Sequence, residues 1–241
     1  MRGSIGGAAK HYETGRRAGP VLRLTTRFWV ALVVVGWLGA PAAAQSALQK
    51  LNELGQTKTT LFGVEAKGSS FVYVFDRSGS MDVPDGKPLR AAKDELLRSL
   101  DSLTDVQQFQ IIFYNQRQSI FTPTGSAGHL LFGKDAMKEE AQKFVEGVKA
   151  GGATRHVDAL VLAVKMRPDA IFLLTDGDEH DDMTEDEIAR VIKLNTAGAR
   201  IYVIQCSPPD QKNNHLIKLA QQTDGKHVYR DITKPANGLA K

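Results

Sequence analysis

A single cysteine in 241 residues, Cys206, rules out an intramolecular disulfide and a cysteine-based zinc site, so neither holds this fold together. Its upstream neighbours Ile201 to Ile204 are apolar, which points to a quiet buried thiol rather than a nucleophile. Internal repeats are absent, and only one apolar run approaches membrane-spanning length. Charge of one sign is also lacking over most of the chain. The formal charge of +4 hides an uneven distribution: residues 1–44 hold six of the 31 basic residues and one of the 27 acidic ones. The other 197 residues carry 25 basic and 26 acidic groups. A body so balanced gives no electrostatic reason to expect nucleic-acid binding, which calls for a clustered basic face. With 42% hydrophobic and 24% charged residues the composition is that of an ordinary globular protein, and about 200 residues suffice for one domain with a full core.

The basic surplus belongs to the amino-terminal segment. After Arg23 and Arg27 comes the apolar run Phe28 to Leu38, then Gly39, Ala40, Pro41 and three alanines before Gln45. A basic flank, a short apolar stretch and small residues in an Ala-x-Ala arrangement are the layout of an export signal. Eleven strictly apolar residues fall short of the roughly 20 a spanning helix needs. Counting on to Ala44 lengthens the stretch, so residues 1–44 are expected to be either a signal peptide or an uncleaved anchor. The body is then exported, periplasmic or extracellular, released or tethered by residues 28–44, and its contact with a membrane is through this segment alone.

Residues 45–69 are polar and rich in Gly, Thr, Ser and Lys, with one short amphipathic stretch at Leu48, Leu51 and Leu54; they read as a linker. From Ser70 the pattern becomes regular. Apolar runs Phe71–Phe75, Phe109–Tyr114, Ala170–Leu174 and Ile201–Ile204, with a weaker one at Lys226–Tyr229, alternate with helical patterns. The helical candidates are Pro88–Leu103, Ala136–Val148, His156–Val164, Thr184–Asn195 and His215–Gln222. Such alternation predicts an α/β fold with a doubly wound parallel sheet and helices on both faces. Ser119 to Phe121 fits an edge strand. Pro88 suits a first helical turn, Thr184 with Glu187 has capping-box spacing, and Gly198 suits a left-handed helix end. Residues 233–241 remain as a tail.

In doubly wound sheets ligands bind beyond the carboxyl ends of the strands. Phe71–Phe75 runs into Asp76-Arg77-Ser78-Gly79-Ser80, and Ala170–Leu174 into Thr175-Asp176-Gly177. Two aspartates thus reach the same edge, where their repulsion is costly unless a cation sits between them. Gly151-Gly152-Ala153-Thr154 adds a hydroxyl on a flexible loop. Asp76, Ser78, Ser80, Thr154 and Asp176 together form an all-oxygen set, suited to a hard cation such as Mg2+ and unsuited to zinc or copper.

These five residues, in this order on this alternation, resemble the metal-ion-dependent adhesion site of the von Willebrand factor type A domain family, over residues 70–232. The resemblance implies a Rossmann-like, mostly parallel sheet with one short antiparallel edge strand. It implies direct coordination of Mg2+, or of Mn2+ or Ca2+, by Ser78, Ser80 and Thr154, with Asp76 and Asp176 acting largely through metal-bound water. It further implies a non-enzymatic module whose protein partner presents a Glu or Asp to the metal. The short segment between the second strand and Thr154 means that the ligand-selecting surfaces of adhesive members do not carry over. Two other readings stand beside this one: a metal-assisted hydrolase, for which no matched nucleophile and base are found, and an accessory subunit of an ATP-driven chelatase or chaperone, against which the leader argues. The acidic run Asp178 to Glu187 reads as a solvated loop and a helix amino terminus, where acids are favoured. Single histidines at 156 and 180 read as surface or structural residues, and Arg77 as pointing away or pairing with a surface acid.

Overall fold

A computed structural model describes residues 58–231 apart from 124, 126–127, 178–182 and 207–213. The expected leader, the amphipathic stretch at Leu48, Leu51 and Leu54 and the tail lie outside the described residues.

Apolar runs become strands where they were expected. β3 (Ser70–Asp76), β4 (Gln108–Tyr114), β7 (Ala170–Thr175), β8 (Arg200–Gln205) and β9 (His227–Tyr229) are parallel. On the outer side of β4, β5 (Gln118–Ile120) is the expected antiparallel edge strand, and the two-residue β6 (Leu131–Phe132) joins it there. The sheet order is β5-β4-β3-β7-β8-β9. The chain therefore winds one way from β3 to β4 and the other way from β3 to β7, which makes the carboxyl ends of β3 and β7 the switch point.

Helices α1 (Lys87–Asp101), α2 (Asp135–Gly147), α3 (His156–Lys165), α4 (Glu185–Leu194) and α5 (Asn214–Gln222) cover both faces. The strand period of two sorts the core residues. Phe71, Tyr73, Phe75, Phe109, Phe113 and Phe172 pack under α1 and α2, with the Tyr73 and Phe172 rings stacked at 5.5 Å. Val72, Val74, Ile112, Leu173 and Val203 face α3, α4 and α5 as an aliphatic layer. Burial on both sides explains why the central strands are continuous apolar runs. Among the described residues no helix is long and apolar enough to cross a membrane.

Local signals hold at the helix ends. Thr184 Oγ1 accepts from Glu187 N while the Glu187 carboxylate accepts from Thr184 N, a complete capping box. Pro88 lies in the first turn of α1. Gly198 is left-handed (φ +71°), but it sits beyond Asn195, the residue that ends α4.

The linker reading of residues 45–69 needs correction over its second half. β1 (Lys58–Leu61) and β2 (Val64–Lys67) form an antiparallel hairpin. Phe62 and Gly63 both have positive φ, the two-residue turn that matches strand twist. Thr59, Leu61, Val64 and Ala66 are buried and alternate with exposed residues, so the hairpin is half core. Its turn is held from both sides: Glu95 Oε1 accepts from Phe62 N at 2.6 Å, and Arg230 Nε donates to Phe62 O at 3.1 Å. Thr59 Oγ1 lies 2.9 Å from Ser99 Oγ, which in turn bonds Tyr73 Oη at 2.8 Å. Burial pushes the Tyr73 hydroxyl up to about 12, so it stays a neutral hydrogen-bonding group.

Candidate metal centre

β3 and β7 are neighbours in register, Phe75 opposite Leu174, so Asp76 and Thr175 leave the sheet side by side. Thr175 Oγ1 donates to Asp76 Oδ2 at 2.9 Å, and Ser78 N donates to Asp76 Oδ1 at 2.7 Å. Gly177 N donates to Thr175 Oγ1 at 3.0 Å. This chain of bonds fixes the Asp76 carboxylate and ties the two strand ends together. Past Asp76 the backbone enters a 3-10 turn, Gly79–Asp82, which folds Ser80 back until its Oγ lies 3.0 Å from that of Ser78. Asp76 and Ser78 are buried and Ser80 is exposed, so the three oxygens run from the floor to the mouth of the edge.

The glycine loop is pinned against this turn. Gly79 N donates to Gly152 O at 2.9 Å, and Gly151 N donates to Arg77 O at 2.8 Å. Ala153 N donates to Gln116 Oε1, and Asn115 Nδ2 to Gly151 O. Gly152 is left-handed (φ +87°), and a Cβ there would meet Gln116 Oε1 at 2.1 Å, so close approach as well as backbone conformation selects glycine. Thr154 follows two residues on, half-buried. On the other side Gln205 Nε2 donates to Gly177 O at 3.1 Å, while Gln205 Oε1 lies 2.9 Å from His227 Nε2, which must therefore carry the proton.

The structure thus brings Asp76, Ser78 and Ser80 together, sets Asp176 close enough to act on the charge of Asp76, and moors the loop carrying Thr154 to the same turn. Sequence reasoning missed the residues that do the mooring: Thr175 as a hydrogen-bond relay, and Asn115, Gln116 and Gln205. The last three share one signal, a polar side chain at the carboxyl end of an apolar strand or within two residues of it.

Electrostatics at this edge are unbalanced. Burial, and after it the negative charge of Asp176, drives the Asp76 carboxyl up to about 7, against the opposing pull of its bonds from Ser78 and Thr175. Burial and the same two carboxylates raise the Cys206 thiol well above its ordinary value, so the half-buried thiol stays protonated and inert. Among the described residues no cluster of three or more His, Cys, Asp or Glu occurs. The donors at this edge are two carboxylates and a set of hydroxyls, a combination that fits a hard divalent cation. A cation here would offset the burial and the repulsion from Asp176 that disfavour the Asp76 carboxylate.

Nearby residues take structural roles. His156 is buried, with Nδ1 2.7 Å from Tyr114 Oη, which places it in the core. Arg77 points away from the Asp76 side, but its partners are Lys149 O and Asn115 Oδ1 rather than a surface acid. Within the acidic run, Glu187 serves the capping box and Glu185 pairs with Lys218 and His215; residues 178–182 and His180 lie outside the described residues.

Comparison with known proteins agrees with this architecture. The model of the von Willebrand factor type A domain matches residues 71–236. The mouse von Willebrand factor A domain-containing protein 5A is 30% identical over 177 residues, 68% of this chain and 20% of that protein. A von Willebrand factor type A structure from Catenulispora acidiphila superposes with a TM-score of 0.61 at 23% identity, covering 72% of this chain and 41% of that one. Proximal thread matrix protein 1 of the mussel byssus, solved with a zinc-occupied MIDAS motif, gives a TM-score of 0.51 at 19% identity over 82% of this chain and 49% of that one. The chain spans 12 to 20% of the length of the curated relatives it matches. A switch point that gathers two aspartates and two serines, on a sheet matched over most of its length, leaves one conclusion: the chain belongs to the von Willebrand factor type A domain family.

Proposed function

We propose that this protein is a divalent-cation-dependent protein-binding module in which Ser78, Ser80 and Thr154 hold Mg2+ directly and Asp76 and Asp176 hold it through bound water. Mn2+ and Ca2+ are the alternative occupants of the same oxygens. The observation that carries the reading is the buried Asp76 beside Asp176, on the same turn as the paired hydroxyls of Ser78 and Ser80. With hydroxyls taking the direct positions, little of the 2+ charge is neutralised, and the bound metal supplies an electrophilic site for a Glu or Asp of a partner protein. The chain's own residues then act as a scaffold: Thr175 and Ser78 orient Asp76, and Gln205 holds the turn that carries Asp176. The basic, apolar leader supports placing this module outside the cytoplasm, released or tethered by residues 28–44.

Titration calorimetry of Mg2+ into the full chain tests the site. Wild type should bind and Asp76→Ala should not, and capture of host proteins should disappear in chelator. Capture that persists in chelator overturns the mechanism, and phosphoester turnover that disappears in Asp176→Ala would replace it with the hydrolase reading. Amino-terminal sequencing of the native protein tests the leader.

A further inference from the structure

A cleft of about 380 Å³ opens beside the candidate metal centre, lined by Arg77, Ser119, Lys143, Phe144, Val148 and Lys149 among others. Arg77 stands between Asp76 and Ser78 in the chain, so one residue belongs to the turn that carries the oxygen donors and also to the cleft wall. Three of the lining side chains are cationic, and no carboxylate is among the lining residues described. Lys143 pairs at 2.7 Å with Glu140 on the exposed side of α2, and both remain accessible.

Arg77 is only loosely held. Its two contacts, to Lys149 O at 3.3 Å and Asn115 Oδ1 at 3.4 Å, are long, and its buried Nε has no hydrogen-bond partner among the described residues. Guanidinium groups offer five donors in a fork that matches a carboxylate, so this cation has donor capacity to spare. The carboxyl end of α2, which would repel an anion, is already covered: Lys93 Nζ donates to Glu146 O and Val148 O. Phe144 and Val148 add apolar surface for the stem of a side chain. Across the 3-10 turn Asp82 is exposed, whereas Asp85 is ion-paired with Lys87 at 3.6 Å. The edge therefore carries a basic cluster on the Arg77 side and the exposed Asp82 on the other.

We propose that this cleft receives a second carboxylate side chain of the protein partner, next to the acid bound at the metal. The proposal rests on the metal reading above, and charge complementarity selects the occupant. The partner's binding segment then carries two acids a few residues apart. Its direction across the edge is set by attraction at Arg77, Lys143 and Lys149 and by repulsion at Asp82.

The test uses the 15N-labelled full chain and short glycine-based peptides carrying one glutamate, two glutamates separated by one to three residues, or two lysines. In millimolar Mg2+ the two-glutamate peptides should shift the backbone amides of Ser119, Phe144 and Lys149 as well as those of Ser78 and Gly152. They should bind about two- to five-fold more tightly than the one-glutamate peptide, the worth of a partly exposed ion pair. Lys149→Gln should reduce that advantage and Lys149→Glu abolish it, both with unchanged Mg2+ affinity. With excess two-glutamate peptide in EDTA the cleft amides should still move. Equal affinity for one- and two-acid peptides, lysine peptides that bind as well, or an unmoved cleft in EDTA would each overturn the proposal. A lack of any Mg2+-induced shift at Ser78 would instead count against the metal reading alone.

Discussion

Replacing Asp76 by asparagine isolates the cost of the buried charge. The substituted side chain keeps an oxygen for Ser78 N and an amide that can donate to Thr175 Oγ1, so the hydrogen-bonded frame survives while the titratable group is lost. In the wild type without metal, the folded-state pKa of Asp76 is raised to about 7 from an ordinary 3.8. Between these values the native state holds a proton that the unfolded chain has already released. Stability must therefore fall as pH rises through this window, and be fully present only below it. Some three units at 1.36 kcal/mol each set an upper bound of about 4 kcal/mol, equivalent for a domain of this size to roughly 8–16 °C in melting temperature.

The assay is the melting temperature of wild type and Asp76→Asn in EDTA from pH 4 to pH 8, compared as a difference. His227, whose burial lowers its pKa, gains stability with rising pH in both proteins and cancels. The wild type should lose stability relative to the variant across the window. Millimolar Mg2+ at pH 7.5 should restore the wild type and leave the variant unmoved, by about 2.7 kcal/mol at a hundredfold excess over the dissociation constant. Because the metal must displace that proton, its apparent affinity should weaken about tenfold per pH unit below 7. Parallel melting curves for the two proteins in EDTA would refute the reasoning, because Asp76 would then carry no buried charge penalty.

Other substitutions test the frame around the site. Gly177→Ala forces a Cβ to within 2.1 Å of Gln205 Nε2 at a left-handed φ, and should cost about 2 kcal/mol or more in denaturant unfolding. Thr175→Val leaves Gly177 N and Asp76 Oδ2 without their shared partner; about 1–3 kcal/mol should be lost at pH 8, together with some Mg2+ affinity. Leu61→Ala, in a hairpin side chain with no exposed surface, should cost about 2–5 kcal/mol, whereas the same change in a true linker would cost nothing measurable. Tyr114→Phe should cost about 1 kcal/mol through His156 and leave Mg2+ affinity unchanged, which calorimetry can check.

The sheet was legible because its central strands are buried on both faces, which writes them as unbroken apolar runs that helical periods then separate. Asp76 and Asp176 were legible because each closely follows such a run. The hairpin was not: Lys-Thr-Thr-Leu and Val-Glu-Ala-Lys alternate buried and exposed residues over only four positions each, a signal easily lost among neighbouring polar residues. Its half-buried face becomes visible only once Glu95, Ser99 and Arg230, distant in sequence, are seen to hold it. Gln116 and Gln205 escaped for a related reason. A glutamine after a strand reads as a strand end, and its role exists only through a glycine from another loop that leaves room for it.

That hairpin also fixes where the rest of the chain joins the domain. Lys58 pairs with Lys67, and Lys67 leads through Gly68 into the amino end of β3, where Asp169 Oδ2 accepts from the amides and hydroxyls of both Ser69 and Ser70. Burial alone would raise the Asp169 carboxyl; these bonds outweigh it and hold the group below the ordinary range, so the junction is clamped by a charged acceptor. Arg200 adds a bond to Lys67 O. Asp76 lies at the other end of the 7-residue β3, roughly 20 Å away. Residue 58 therefore lies at the end of the sheet opposite the candidate metal centre. One strand, β3, thus carries the candidate metal centre at its carboxyl end and the clamped hairpin junction at its amino end, so substitutions at Asp169 and at Asp76 act on opposite ends of the sheet.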